Sequence, residues 1–75
     1  MKVSKLKETA NILLDLSMVC ESHGIQDIRF KLFDNVIEFY EKKEILEILN
    51  DNFTGTIQNH EEYGYDAGKK FVIKL

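Results

Sequence analysis

No proline occurs anywhere in this chain, and its single cysteine, Cys20, has no second thiol to join. The first absence leaves no rigid, extended linker between separate units. The second excludes an internal disulfide, so a core held by packing alone in a reducing, cytoplasmic setting is expected. No basic segment followed by a short apolar run opens the sequence, and no apolar stretch reaches the ~20 residues that cross a bilayer. A large excess of one charge is missing too. Ten Lys and Arg against thirteen Asp and Glu leave a net −3, too little to define a partner and mildly against a dedicated nucleic-acid binder. There is no Gly-x-Ser-x-Gly, no His-Glu-x-x-His and no phosphate-cradling glycine loop, since Gly64 and Gly68 stand isolated.

What is there reads as a folded chain. Apolar residues make up 44% and charged residues 31%, which fits a globular protein and argues against disorder. Its 75 residues are expected to form one domain, 1–75. A domain of that size buries only ~60% of its unfolded surface, so its core has little stability to spare.

Helical periodicity runs from about Lys5 to Ser22, with Ser4 as the expected N-cap and Gly24 as the left-handed residue that ends the helix. At about 100° per residue, Leu6, Ala10, Leu13, Leu14, Ser17 and Cys20 share one face. Ile12, Leu16 and Val19 widen the apolar arc on one side and Met18 on the other. The arc is roughly twice the ~100° that a helix on one sheet needs. A second covering surface is therefore expected, and the Ile12, Leu16 and Val19 flank is the candidate for self-association as a homo-oligomer.

Gln26 to Glu41 carries the clearest pattern. Ile28, Phe30 and Leu32 alternate with Arg29, Lys31 and Phe33, and Asp34-Asn35 offers two residues that tolerate positive φ in a tight turn. With that turn, Leu32 faces Ile37 and Phe30 faces Phe39 on one side. Lys31 faces Glu38 and Arg29 faces Tyr40 on the other, which predicts a salt bridge and a cation–π pair. A slip of one residue would destroy the agreement. Lys42 to about Asp51 reads as a second helix, Phe53 to Asn59 as a strand, and Lys69 to Leu75 as a closing strand tied down at its end. The pattern predicts an α+β fold of order α-β-β-α-β-β, with a four-stranded, mainly antiparallel sheet and two helices on one face.

Five groups of residues invite a functional reading. Cys20 and His23 lie one helical turn apart, but a zinc site needs about four ligands, so they are read as a buried small residue and a helix-end cation, with no metal and no cofactor expected. His60, Glu61 and Glu62 sit at an expected hairpin tip, too exposed for the shifted pKa values of catalysis. Tyr63 and Tyr65, with Glu61, Glu62 and Asp66, form a candidate protein-contact loop, because tyrosine is enriched at interfaces. Glu41, Glu44, Glu47 and Asp51 fall three or four apart along the second helix and form a ridge that could meet a basic surface. Arg29, Lys31, Phe33, Tyr40, Lys70 and Lys74 put bases and aromatics on the outer side of the sheet, the alternative of a single-stranded nucleic-acid platform.

The expectation that follows is a non-enzymatic regulatory or inhibitory protein acting by protein–protein contact. Small acidic proteins of this kind include phage- and mobile-element-encoded inhibitors of nucleic-acid-processing complexes, an analogy of type and not of residues.

Overall fold

The computed structural model describes residues 1–59 and 68–75. Among them the chain runs helix–strand–strand twice: α1 (Val3–Ser22), β1 (Phe30–Leu32), β2 (Val36–Phe39), α2 (Lys43–Asn52), β3 (Thr56–Asn59) and β4 (Lys69–Lys74). The strands form one antiparallel sheet in the order β1-β2-β4-β3. Each half of the chain gives one central and one edge strand, so exchanging the halves leaves the order unchanged. Leu16 and Cys20 of α1 and Leu46 and Leu49 of α2 enter one cluster with Ile37, Phe39, Phe71 and Ile73 of the central strands. Both helices thus cover the same face of the sheet, in the expected α+β arrangement.

The first hairpin has the predicted register. Phe30 pairs with Phe39, Lys31 with Glu38 and Leu32 with Ile37. The Phe33 N–H donates to the Val36 carbonyl at 2.9 Å, and the Tyr40 N–H donates to the Arg29 carbonyl at 3.0 Å. The turn itself differs from expectation: neither Asp34 nor Asn35 has a positive φ. The Asn35 carbonyl instead accepts the Leu75 N–H at 2.9 Å, so the turn is held by the end of the chain beside it. The same bond ties down the C-terminal residue, as the pattern of the last strand implies.

Helix ends follow local chemistry in part. Gly24 turns at φ +68°, its N–H donating to the Glu21 carbonyl at 3.3 Å, and the Ile25 N–H donates to the Cys20 carbonyl at 2.9 Å. This pair of bonds satisfies carbonyls that the last turn would leave bare, and it brings Ile25 onto the core. At the other end Ser4 lies inside the helix; Lys2 is the N-cap and makes no side-chain cap bond. β3 starts at Thr56 and not at Phe53, because the Phe53 N–H still closes the last turn of α2 on the Leu49 carbonyl, at 2.9 Å, while its ring packs against the core.

Candidate functional site

The 20 residues of α1 span roughly 30 Å at 1.5 Å each. Beneath it, β1 and β2 have three and four residues, about 10 to 14 Å of strand. The helix is therefore longer than either of these strands, and its apolar arc is wider than the ~100° that one sheet covers. The fold resolves the excess by choosing a side. Thr9, Leu16 and Cys20 point inward, with Ile12 and Leu13 packed against the core and Val19 half-buried. This corrects the expected association face in part: Leu16 is 4% exposed and Ile12 packs against the core, while Val19 is half-buried.

The side left in water is the opposite one. Leu6 is 53%, Leu14 63% and Met18 62% exposed, with Val3 and Ala10 open on the same side. The helix-facing side chains of the edge strand, Phe30 and Leu32, are open beside it. A cleft of about 370 Å³ separates α1 from β1, bordered by Leu13, Ser17 and Phe30 and reaching Leu16 and Cys20. The Phe30 ring lies 5.7 Å from that of Phe39, which lies 6.1 Å from that of Phe71, so the open face is continuous with the core.

The acidic ridge is shorter than expected. Glu44, Glu47 and Asp51 are exposed on α2, but Glu41 precedes the helix and is buried. Its Oε2 accepts the Arg29 N–H at 2.7 Å, satisfying a donor just before the edge strand. Glu41 therefore holds the hairpin and does not belong to an outward surface.

On the outer face of the sheet the basic and aromatic residues are already engaged with one another. Lys70 bridges Glu38 at 3.0 Å, and the Tyr40 hydroxyl donates to the same carboxylate. The Lys31 ammonium sits 4.9 Å from the Tyr40 ring centre and that of Lys70 6.0 Å. Lys31 stands opposite Glu38 in the predicted register and adds its charge there, Lys70 forms a salt bridge on the same carboxylate, and the two lysines both lie over the Tyr40 ring. Tyr40 is 4% exposed, so its ring offers no open surface for a base to stack on. Phe33 and Lys74 remain exposed. The Tyr40 hydrogen bond, then the Lys70 bond and charge and the charge of Lys31, hold the Glu38 carboxyl below its ordinary range, with burial opposing.

Burial, and then the nearby Glu41 carboxylate, push the Cys20 thiol up, away from the reactive thiolate. His23 turns back along the helix, its Nδ1 3.0 Å from the Val19 carbonyl and 3.1 Å from the Ser22 hydroxyl. No cluster of three or more His, Cys, Asp or Glu able to hold a metal occurs among the described residues. The loop candidates His60, Glu61, Glu62, Tyr63, Tyr65 and Asp66 lie outside the described residues. Asn59 pairs with Lys69, so the segment between them joins neighbouring antiparallel strands.

What this defines is a small two-layer α+β protein with one open apolar side. No family model matches the chain, and neither a curated protein nor a solved structure shows significant similarity to it. No helix among the described residues is long and apolar enough to cross a membrane.

Proposed function

We propose that the protein is a non-enzymatic regulatory or inhibitory protein that works by protein–protein contact. One observation carries this reading: α1 keeps Leu6, Leu14 and Met18 more than half exposed, next to Phe30 and Leu32 at the sheet edge. An apolar surface that is continuous with the core and left in water marks a contact site. The exposed Glu44, Glu47 and Asp51 of α2 supply a separate acidic surface suited to a basic partner, such as a protein that holds nucleic acid. An inhibitor directed at such a complex, encoded by a phage or mobile element and acting in the cytoplasm, is the proposed setting, by analogy of type alone. Glu38 is held ionised in its ion pair, and burial pushes the Cys20 thiol up, away from the thiolate.

The test is affinity capture from the native cell with identification by mass spectrometry, using the wild type, Leu14→Glu, and a Glu44→Lys/Glu47→Lys/Asp51→Lys variant. The expected outcome is a protein retained by the wild type and lost by one of the variants. Equal retention by all three ends the proposal. The alternative of a single-stranded nucleic-acid module predicts salt-sensitive oligonucleotide binding that Arg29→Ala with Lys31→Ala abolishes. The buried Tyr40 and the carboxylate of Glu38 at the centre of that face count against it.

A further inference from the structure

We infer that the open side of α1 is covered by a second copy of this chain, with the two α1 helices packed antiparallel about a two-fold axis near Leu14. This rests on the contact reading above and adds the occupant. The first argument is charge. Lys2, Lys5 and Lys7 gather at the start of α1, and Glu21 and Asp27 at or just beyond its end. The first turn holds no acid and the last turn no base. A helix dipole prefers the reverse, anions at the N-terminus and cations at the C-terminus. Within one copy Lys5 reaches Glu8 at 3.7 Å and the Met1 amino group reaches Asp34 at 2.7 Å, but the order of charges along the helix still opposes its dipole. An antiparallel second copy sets the basic end of each helix beside the acidic end of the other, and it opposes the two dipoles as well.

The positions fit a two-fold. Lys7 and Glu21 are both exposed, lie on the open side at about 100° per residue, and stand seven residues before and after Leu14. An axis at Leu14 places Lys7 opposite Glu21 of the second copy and Ala10 opposite its Met18, with Leu14 meeting its own equivalent. The isologous contact needs one surface that complements itself, which this distribution provides.

Area is the second argument. Val3, Leu6, Leu14, Met18, Phe30 and Leu32 leave on the order of 600 Å² in water, at the upper end of what an ordinary monomer exposes and approaching the ~800 Å² of total surface per partner of a stable pair. The small side chains of Ala10 and Ser17 lie within this side and allow close approach of a helix.

Sedimentation equilibrium on the purified chain tests the inference. The wild type is expected at twice 8.8 kDa at high concentration and Leu14→Glu at 8.8 kDa, with unchanged helical circular dichroism because Leu14 is exposed. Lys7→Glu and Glu21→Lys should each weaken the pair by about tenfold, and the two together should restore it. Should Leu14→Glu not fold, Met18→Glu on the same side carries the same expectation. A wild type that stays monomeric at about millimolar concentration overturns the second copy as occupant, while the capture experiment above decides separately whether another protein binds. A dimer that survives Leu14→Glu places the interface elsewhere and overturns it too. A double charge swap no better than its single members overturns the antiparallel arrangement.

Discussion

At Gly24 the backbone turns at φ +68° with nothing within 4 Å of where a side chain would begin. Only the left-handed conformation restricts this position, so Gly24→Ala should cost about 1 kcal/mol in urea unfolding. Gly55 is the converse. A Cβ there would lie 2.4 Å from the Val72 carbonyl and 2.6 Å from the Phe71 ring, where the chain passes against β4. Gly55→Ala should cost about 3 kcal/mol by overpacking in the same assay. Gly24 could be read from its place after a helical run. Gly55 could not, because the atoms that exclude a side chain come from residues far along the chain. A third residue carries the pH dependence. The fold favours the ionised form of Glu38, so its contribution is complete above the ordinary carboxylate pKa of ~4.3 and is lost as pH falls through the lower folded value. Between about pH 6 and pH 3 the thermal midpoint of the wild type should fall more than that of Glu38→Gln. Equal slopes would show that Glu38 is not held ionised by the fold.

Among the elements, α1 decides most. Its inward side is set by Leu16 and Cys20 and its outward side by Leu6, Leu14 and Met18, only a few residues away. Leu16→Ala should cost about 3 kcal/mol, while Leu14→Ala in dilute solution should change stability by less than about 0.5 kcal/mol. Chemical denaturation of the two variants checks the orientation directly. If Leu14 proves the costly one, the helix is rotated from the position described. The first hairpin was legible because two independent patterns, apolar pairing and opposite charge, agree on one register. The start of β3 was not, since Phe53 has the look of a strand residue and is instead drawn into the core at the end of α2.

For the molecule as a whole, the order β1-β2-β4-β3 places the two longest strand pairings at the centre and next to one edge, with the three-residue β1 on the other. A short edge strand offers little for strand addition, so covering by a helix is the better-suited association. A chain of this size has a modest margin, and binding to the folded state alone raises apparent stability with concentration. The thermal midpoint of the wild type should therefore rise over a hundredfold range of protein concentration, and that of Leu14→Glu should stay constant. A constant midpoint in the wild type would argue against a coupled dimer.

Sequence alone determined the elements, the hairpin register and the α+β class, because periods of two and 3.6 residues and a glycine cap act over a few neighbouring residues. It also showed that α1 carries more apolar surface than one sheet can hide. Which part of that arc would stay wet was a tertiary decision: hydrophobicity ranks both flanks alike, and the Ile25 return from Gly24 goes with Leu16 and Cys20 packed in the core. The burial of Glu41 and the capture of Glu38 by Lys70 were decided the same way, by partners that are distant in the chain and adjacent only once the sheet is assembled.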